Sequence, residues 1–464
     1  MMGWSGETMG DDLQTGAQAG IRLSELVGAL SYALDISEGH PTGHCVRACW
    51  LGFHAGRELG LSAPELSDLY YTILLKDVGC SSNAARICQL YLADDIALKQ
   101  DFHLVKDSMP HILGFVLSRT GMKAKLAERF RALLNIAMHG GTIVNELFQT
   151  RCQTGAEIVR QMRFPESVAR GVHELDEHWN GAGNPMGLEA EAISIHARIA
   201  LAAQIADVFH ASAGSERAIA ELRARSGAWF DPKVVEAFER AAQMPHFWTM
   251  LDSPELQLAV ADLIEGDVQQ PVDDDYLDDI AAAFAKVIDA KSPFTSGHSE
   301  RVALFTDMIA EELGYSDDSR RRLKRAALLH DIGKLGVSNQ ILDKAGKLDE
   351  AEWASVRNHP VLGEKILRRI GIFSELSRIA GAHHERLDGK GYPRGLHADA
   401  IDMDTRIVTT ADIFDALTAE RPYRAALPVS EAFAIMERDV GTAVDPGCLA
   451  ALRRAMTTVE AAAA

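Results

Sequence analysis

Two parts of this 464-residue chain spell the same words in the same order, so its fold must be built twice. Pro41-Thr42-Gly43-His44-Cys45-Val46-Arg47 returns as Phe294-Thr295-Ser296-Gly297-His298-Ser299-Glu300-Arg301-Val302. Leu74-Leu75-Lys76-Asp77-Val78-Gly79-Cys80 lies over Leu328-Leu329-His330-Asp331-Ile332-Gly333-Lys334. Asn180-Gly181-Ala182-Gly183-Asn184-Pro185 matches Asp388-Gly389-Lys390-Gly391-Tyr392-Pro393, and Ala206-Asp207-Val208-Phe209 is set against Ala411-Asp412-Ile413-Phe414. The spacing of Leu23, Leu26, Val27, Leu30 and Leu34 is helical, and alternating β-branched runs are nearly absent. The prediction is an all-α protein of two tandem helical domains joined by a hinge. Residues 1–20 read as a disordered tail, 21–245 as the first domain, 246–272 as a proline-punctuated linker and 273–458 as the second domain.

The copies differ where chemistry would sit. With Gly155 over Gly363, Arg151 stands opposite His359, while Leu175 and Asp176 stand opposite His383 and His384. Lys76 replaces His330 and Cys80 replaces Lys334, so the first copy keeps only His44, Asp77 and Asp207 of the second copy's set. Lys76 and Arg151 would bring positive charge to metal positions, and the first copy is expected to hold no catalytic metal. It also carries 74 residues between Asp77 and Arg151 where the second has 28 between Asp331 and His359, a surplus that reads as added helices. Its hydrophobic pattern persists, which suits a regulatory role or a surface for a homodimer or regulatory partner.

Composition narrows the function. A formal charge of -19 disfavours duplex nucleic acid and anionic membrane as partners, so a polyanionic substrate must be received by local cations. Six irregularly spaced cysteines, with no signal-like segment and no run of about 18 apolar residues, lead to the expectation of a cytoplasmic protein with reduced thiols. The run Arg320, Arg321, Arg322, Lys324 and Arg325 reads as a solvated helix face. Asp273-Asp274-Asp275 suits a helix N-terminus, followed by a stripe of Tyr276, Ile280, Phe284 and Val287.

In the second copy, imidazoles and carboxylates recur in an order that suits divalent cations acting on a phosphoester. His298, His330, Asp331 and Asp412 could hold one cation, and His359, His383 and His384 a second, with Asp331 bridging. Paired cations about 3.5–4 Å apart would hold a bridging water as hydroxide for in-line attack. Lys334 would stabilise a phosphoryl oxygen from the same face.

From about Ile280 to Ala455 the chain resembles the HD-GYP domains, a branch of the HD metal-dependent phosphohydrolases. The words that carry the resemblance are Gly297-His298-Ser299-Glu300-Arg301-Val302, His330-Asp331-Ile332-Gly333-Lys334, Asn358-His359-Pro360, His383-His384-Glu385-Arg386-Leu387-Asp388-Gly389-Lys390-Gly391-Tyr392-Pro393 and Asp412-Ile413-Phe414-Asp415-Ala416-Leu417-Thr418. The first copy resembles the family as a degenerate relative. The resemblance implies hydrolysis of cyclic di-GMP to pGpG, and onward to GMP, at a site of iron or manganese. It implies His298, His330, Asp331, His359, His383, His384 and Asp412 as ligands and Lys334 as the catalytic lysine. It also implies substrate contacts from Gly391, Tyr392, Pro393, Arg421 and Arg424. Three-metal members place a glutamate where this chain has Phe294, so two divalent metals are expected. Two rival readings remain open: an HD phosphohydrolase for another cyclic dinucleotide or a nucleotide phosphate, and a cyclic di-GMP-binding regulatory protein with weak turnover.

Overall fold

Helices start where the sequence supplies caps. Asp273 accepts the Tyr276 amide at 2.8 Å and opens Asp274–Asp289, Ser316 caps Asp317–Leu329, and Asp402 caps Met403–Thr418. The chain is described here from a computed structural model covering residues 23–102, 109–122, 124–264, 273–420 and 425–463. Among them the regular elements are α- and 3-10 helices, joined by four isolated bridges and no extended strand. The expected N-terminal tail lies outside the described residues.

The repeat in the sequence is a repeat in space. In the first copy, Leu23–Ser37, His44–Glu58, Ala63–Leu75, the 3-10 turn Cys80–Asn83, Ile195–Ala213 and Ser215–Ala224 follow one another. Asp274–Asp289, His298–Glu312, Asp317–Leu329, Ile332–Gly336, Met403–Thr418 and Val429–Arg438 do so in the second. The surplus of the first copy is helical: Ala84–Tyr91, Asp95–Phe102, Met109–Arg119 and the front of the 36-residue helix Leu126–Gln161. Of its histidines, His111 and His139 are exposed and His103 lies outside the described residues.

The copies share one continuous apolar core. Helix Leu23–Ser37 of the first packs on Ile332–Gly336 and His359–Leu367 of the second. There the Tyr32 ring lies under the Arg369 guanidinium at 4.0 Å. A second tie is Asp95, wholly buried, which accepts from Ser338 Oγ at 2.9 Å and the Asn339 amide at 2.8 Å and faces Lys291 Nζ at 3.5 Å. Within the segment expected as a linker, residues 247–264 are packed chain: Phe247, Leu251, Leu256 and Val260 are buried, and Trp50 donates to the Phe247 carbonyl at 3.0 Å. Residues 265–272 lie outside the described set.

The stripe Tyr276, Ile280, Phe284 and Val287 is buried as expected. The basic run is a solvated face only in part: Arg322 and Lys324 are exposed, and the other three are paired. Arg325 is buried against Asp274 and Asp278, Arg321 pairs with Asp275 and Asp278, and Arg320 pairs with Asp307 and Glu311. The acidic start of Asp274–Asp289 meets Arg321 and Arg325 across the helix pair, so those two charges are paired along the seam between the helices.

Candidate metal centre

His330 and Asp331 end helix Asp317–Leu329 and enter the 3-10 turn Ile332–Gly336. Gly333 is required there. A Cβ on it would sit 1.9 Å from the His359 carbonyl oxygen and 2.7 Å from the Gly363 amide, so only glycine lets helix His359–Leu367 approach and bring His359 to Asp331. His298 begins its own helix after Gly297, whose φ of 66° lies in the left-handed region. His383 and His384 end Ser374–Ala382, and Asp412 stands on the inner face of Met403–Thr418.

These residues converge on Asp331, and its two oxygens face different histidines. Oδ2 lies 3.4 Å from both His298 Nε2 and His330 Nε2, whereas Oδ1 lies 3.2 Å from His359 Nε2 and 3.6 Å from His383 Nε2. Asp412 Oδ1 is 3.5 Å from His298 Nε2 and 3.9 Å from His330 Nε2. His298, His330 and Asp331 form one set with atoms within 4.8 Å of one another, and Asp331, His359, His383 and His384 form a second. Lys334 Nζ donates to Asp331 Oδ2 at 2.5 Å.

The far ring nitrogens decide what the near ones can do. Nδ1 of His330, His359 and His383 donates to the carbonyls of Ala327, Val356 and Ala380 at 2.6, 2.7 and 2.7 Å. Nδ1 of His298 lies 2.7 Å from Asp415 Oδ2. Each Nε2 is thereby left with its lone pair turned inward, as metal-binding imidazoles require. His359 Nε2 and His383 Nε2 face each other at 3.2 Å, two acceptors that need a cation between or beside them. His298 Nε2, His330 Nε2 and Asp331 Oδ1 are buried without a hydrogen-bond partner. Buried orphans of this kind are costly unless an ion takes them up, so the donor set fits divalent metals.

The electrostatics divide the cluster: the His383 and His384 side favours neutral imidazoles, while the carboxylates favour protonated His298 and His330, so a metal bound there displaces a proton. Burial pushes the His383 pKa down to about 4 and that of His384 well below its usual value, which keeps both rings neutral. Burial opposes charge on His298 as well, but Asp331, Asp415 and Asp412 outweigh it and raise its pKa to about 9. Burial would raise the pKa of Asp331, yet Lys334 and the surrounding imidazoles hold it well below the carboxylate range.

Sequence alone assigns Asp415 no role, although it stands one helical turn after Asp412. It fixes the His298 ring and is itself gripped by Arg301 Nε at 2.5 Å. Its counterpart corrects the alignment of the copies. His44 Nδ1 lies 2.7 Å from Asp207 Oδ2 and Arg47 Nε donates to Asp207 Oδ1 at 2.7 Å, so Asp207 stands for Asp415, and Gln204 takes the place of Asp412. Of the seven candidate ligand positions, the first copy therefore keeps only His44 and Asp77. Its other positions carry their own cations: Lys76 pairs with Asp77, and Arg151 pairs with Asp176. His40, His44 and Asp77 do lie close enough together for an ion, but the Lys76 ammonium already neutralises Asp77.

The Gly391-Tyr392-Pro393 loop borders the cluster. Gly391 packs where a Cβ would lie 2.3 Å from the Arg386 amide, and the Tyr392 ring stands 4.8 Å from the His384 ring. Buried Glu385 ties the loop by accepting the Arg394 and Leu396 amides at 2.6 and 2.9 Å. Phe294 lines a cavity of about 820 Å³ together with Lys334. Arg421 and Arg424 lie outside the described residues.

Residues 131–234 and 282–448 match the HD domain family. The chain is 53% identical over 440 residues to the 3'3'-cGAMP-specific phosphodiesterase 3 of Vibrio cholerae, covering 95% of this chain and 96% of that protein. A solved structure described as a cyclic GMP-AMP-specific phosphodiesterase of V. cholerae superposes with a TM-score of 0.65 at 48% identity, covering 94% of this chain and 98% of the other. The cyclic di-GMP phosphodiesterase response regulator RpfG of Xanthomonas campestris is 38% identical over 178 residues, 38% of this chain and 47% of that protein. No described helix is long and apolar enough to cross a membrane.

Proposed function

The chain belongs to the HD-GYP phosphodiesterases of the HD-domain family, and from that premise we propose that it hydrolyses a cyclic dinucleotide, taking 3',3'-cyclic GMP-AMP in preference to cyclic di-GMP. The observation that carries the reading is Asp331, buried with each oxygen turned to a different pair of inward-facing histidines. The preference for cyclic GMP-AMP is supported by the relative named for that substrate, which matches 95% of this chain, against 38% for the cyclic di-GMP relative RpfG.

In this reading His298, His330, Asp331 and Asp412 hold one divalent metal, and Asp331, His359, His383 and His384 hold a second, iron or manganese. Bound there, the metals supply Lewis-acid polarisation of the phosphoryl group and an acidified water. The protein's own groups do the rest. Ala327, Val356, Ala380 and Asp415 hold the imidazoles in the ligating tautomer. Lys334, about four-fifths buried, sets a positive charge beside Asp331, where a phosphoryl oxygen gathers charge in the transition state. Gly391, Tyr392 and Pro393 border the bound substrate, and Arg421 and Arg424 are assigned to its phosphate and base. Water adds to phosphorus, the ester bond to one 3'-oxygen breaks, and that oxygen leaves with a proton, giving a linear dinucleotide with a terminal phosphate. Catalysis belongs to residues 273–458. Residues 21–245 keep the fold without the metals, because Lys76 and Arg151 fill ligand positions with positive charge.

The test is a competition: purified protein with manganese or ferrous iron and equal amounts of the two cyclic dinucleotides, followed by chromatography. Faster loss of cyclic GMP-AMP is expected. Equal or faster loss of cyclic di-GMP would overturn the preference, and persistence of both with every metal would overturn the activity.

A further inference from the structure

The phosphodiesterase reading leaves the substrate's bases without an assigned partner among the described residues. The cavity beside Lys334 offers one. It measures about 820 Å³, in the usual range for small-molecule sites, and its wall includes Phe294, Lys334, Lys344, Lys347, Trp353 and Val356. Two of these join it to the metal centre: Lys334 donates to Asp331, and the Val356 carbonyl accepts from His359 Nδ1 at 2.7 Å. Three lysines and no acid line it, in a chain of net charge -19. Lys334 is paired with Asp331 and Lys344 with Glu352 at 2.6 Å, which leaves Lys347 as the lining lysine without an ion pair among the described residues. An unpaired lysine on a cavity wall beside the metal centre, in an acidic protein, marks a place for an anion.

Trp353 is the unusual residue of the wall. Its helix, Glu350–Arg357, buries none of its residues, and the indole remains 43% exposed while lining the cavity. A core role does not explain it. The Arg357 guanidinium lies 5.5 Å from the Trp353 ring and 5.9 Å from the Tyr392 ring, linking the indole to the loop that borders the histidines. An aromatic face, cations on the same wall and a path to the phosphate-cleaving centre are what a nucleotide needs: a ring to stack on and charge for its phosphate.

We propose that Trp353 is a specificity residue, the platform on which one purine base of the cyclic dinucleotide stacks while the scissile phosphate sits at Asp331 and Lys334. Phe294 and Lys347 line the same compartment, the lysine reaching the second phosphate. The proposal rests on the phosphodiesterase reading, so wild-type turnover of cyclic GMP-AMP is the first arm of its test; if no cyclic dinucleotide is cleaved, both fall. Given turnover, Trp353→Ala should raise KM by about 5- to 150-fold, the range for losing one base stack. Its kcat and bound metal should stay near wild type, and Trp353→Phe should recover most of the loss. An unchanged KM in Trp353→Ala would overturn the platform while leaving the enzyme reading intact. A fall in kcat together with metal content would also overturn it, because the indole would then be supporting His359 through its helix and not touching substrate.

Discussion

Replacing Lys76 by Met should destabilise the first copy without touching the metals of the second. The Lys76 ammonium is fully buried, and the side chain of its partner Asp77 is 5% exposed. The thiols of Cys45 and Cys80 stand 3.6 and 3.8 Å from the carboxylate and are weak donors. Removing the ammonium strands a buried charge, which costs about 3–5 kcal/mol. At about 2–4 °C per kcal/mol for about 150–250 residues unfolding together, the transition that includes the first copy should fall by about 6–20 °C. Lys76 holds the Asp77 pKa below the carboxylate range against the pull of burial, and Asp77 raises that of Lys76. The carboxylate's share of stability is therefore present above its unfolded pKa of about 3.9 and fades as pH falls through the lower folded value. The ammonium's share is present below about 10.4 and fades as pH rises through the higher folded value. The gap between variant and wild type should be full from about pH 5 to 9 and should narrow in acid. Lys76→Met with Asp77→Asn should recover most of the loss. Scanning calorimetry with metal analysis reads both quantities, and a transition within about 2 °C of wild type at pH 7 would refute the buried pair.

Asp415→Asn leaves His298 Nδ1 without its anionic partner, so metal affinity should drop about 10- to 100-fold in a chelator titration, with the fold intact. Gly333→Ala drives a methyl into the His359 carbonyl at 1.9 Å, and activity and metal content should fall together. Asp95→Ala leaves Lys291, 2% exposed, without a counter-ion and frees Ser338 and Asn339, so denaturant unfolding should show a loss of about 2–5 kcal/mol.

Much of this was readable from the chain, for identifiable reasons. Identical words at long separation betray a duplicated fold, and histidines paired with carboxylates keep their identity whatever surrounds them, so the cluster on Asp331 was visible before its geometry. What escaped depended on register and partners. Asp412 and Asp415 are three apart and share a helix face, so the short word Ala-Asp with a following Phe slid by one turn and hid the fact that Asp207 mirrors Asp415. Arg321 and Arg325 read as solvated because their acids, Asp274, Asp275 and Asp278, are more than 40 residues away. Asp95, in the surplus of the first copy, meets Ser338 across 243 residues, a contact no local pattern announces.

The most direct test of a two-metal site confined to the second copy is metal content per chain after anaerobic purification, in wild type beside Asp331→Ala and His44→Ala. Two equivalents in wild type and in His44→Ala, and none in Asp331→Ala, are expected from the two ligand sets that share Asp331. Metal retained by Asp331→Ala, or lost with His44→Ala, would contradict it.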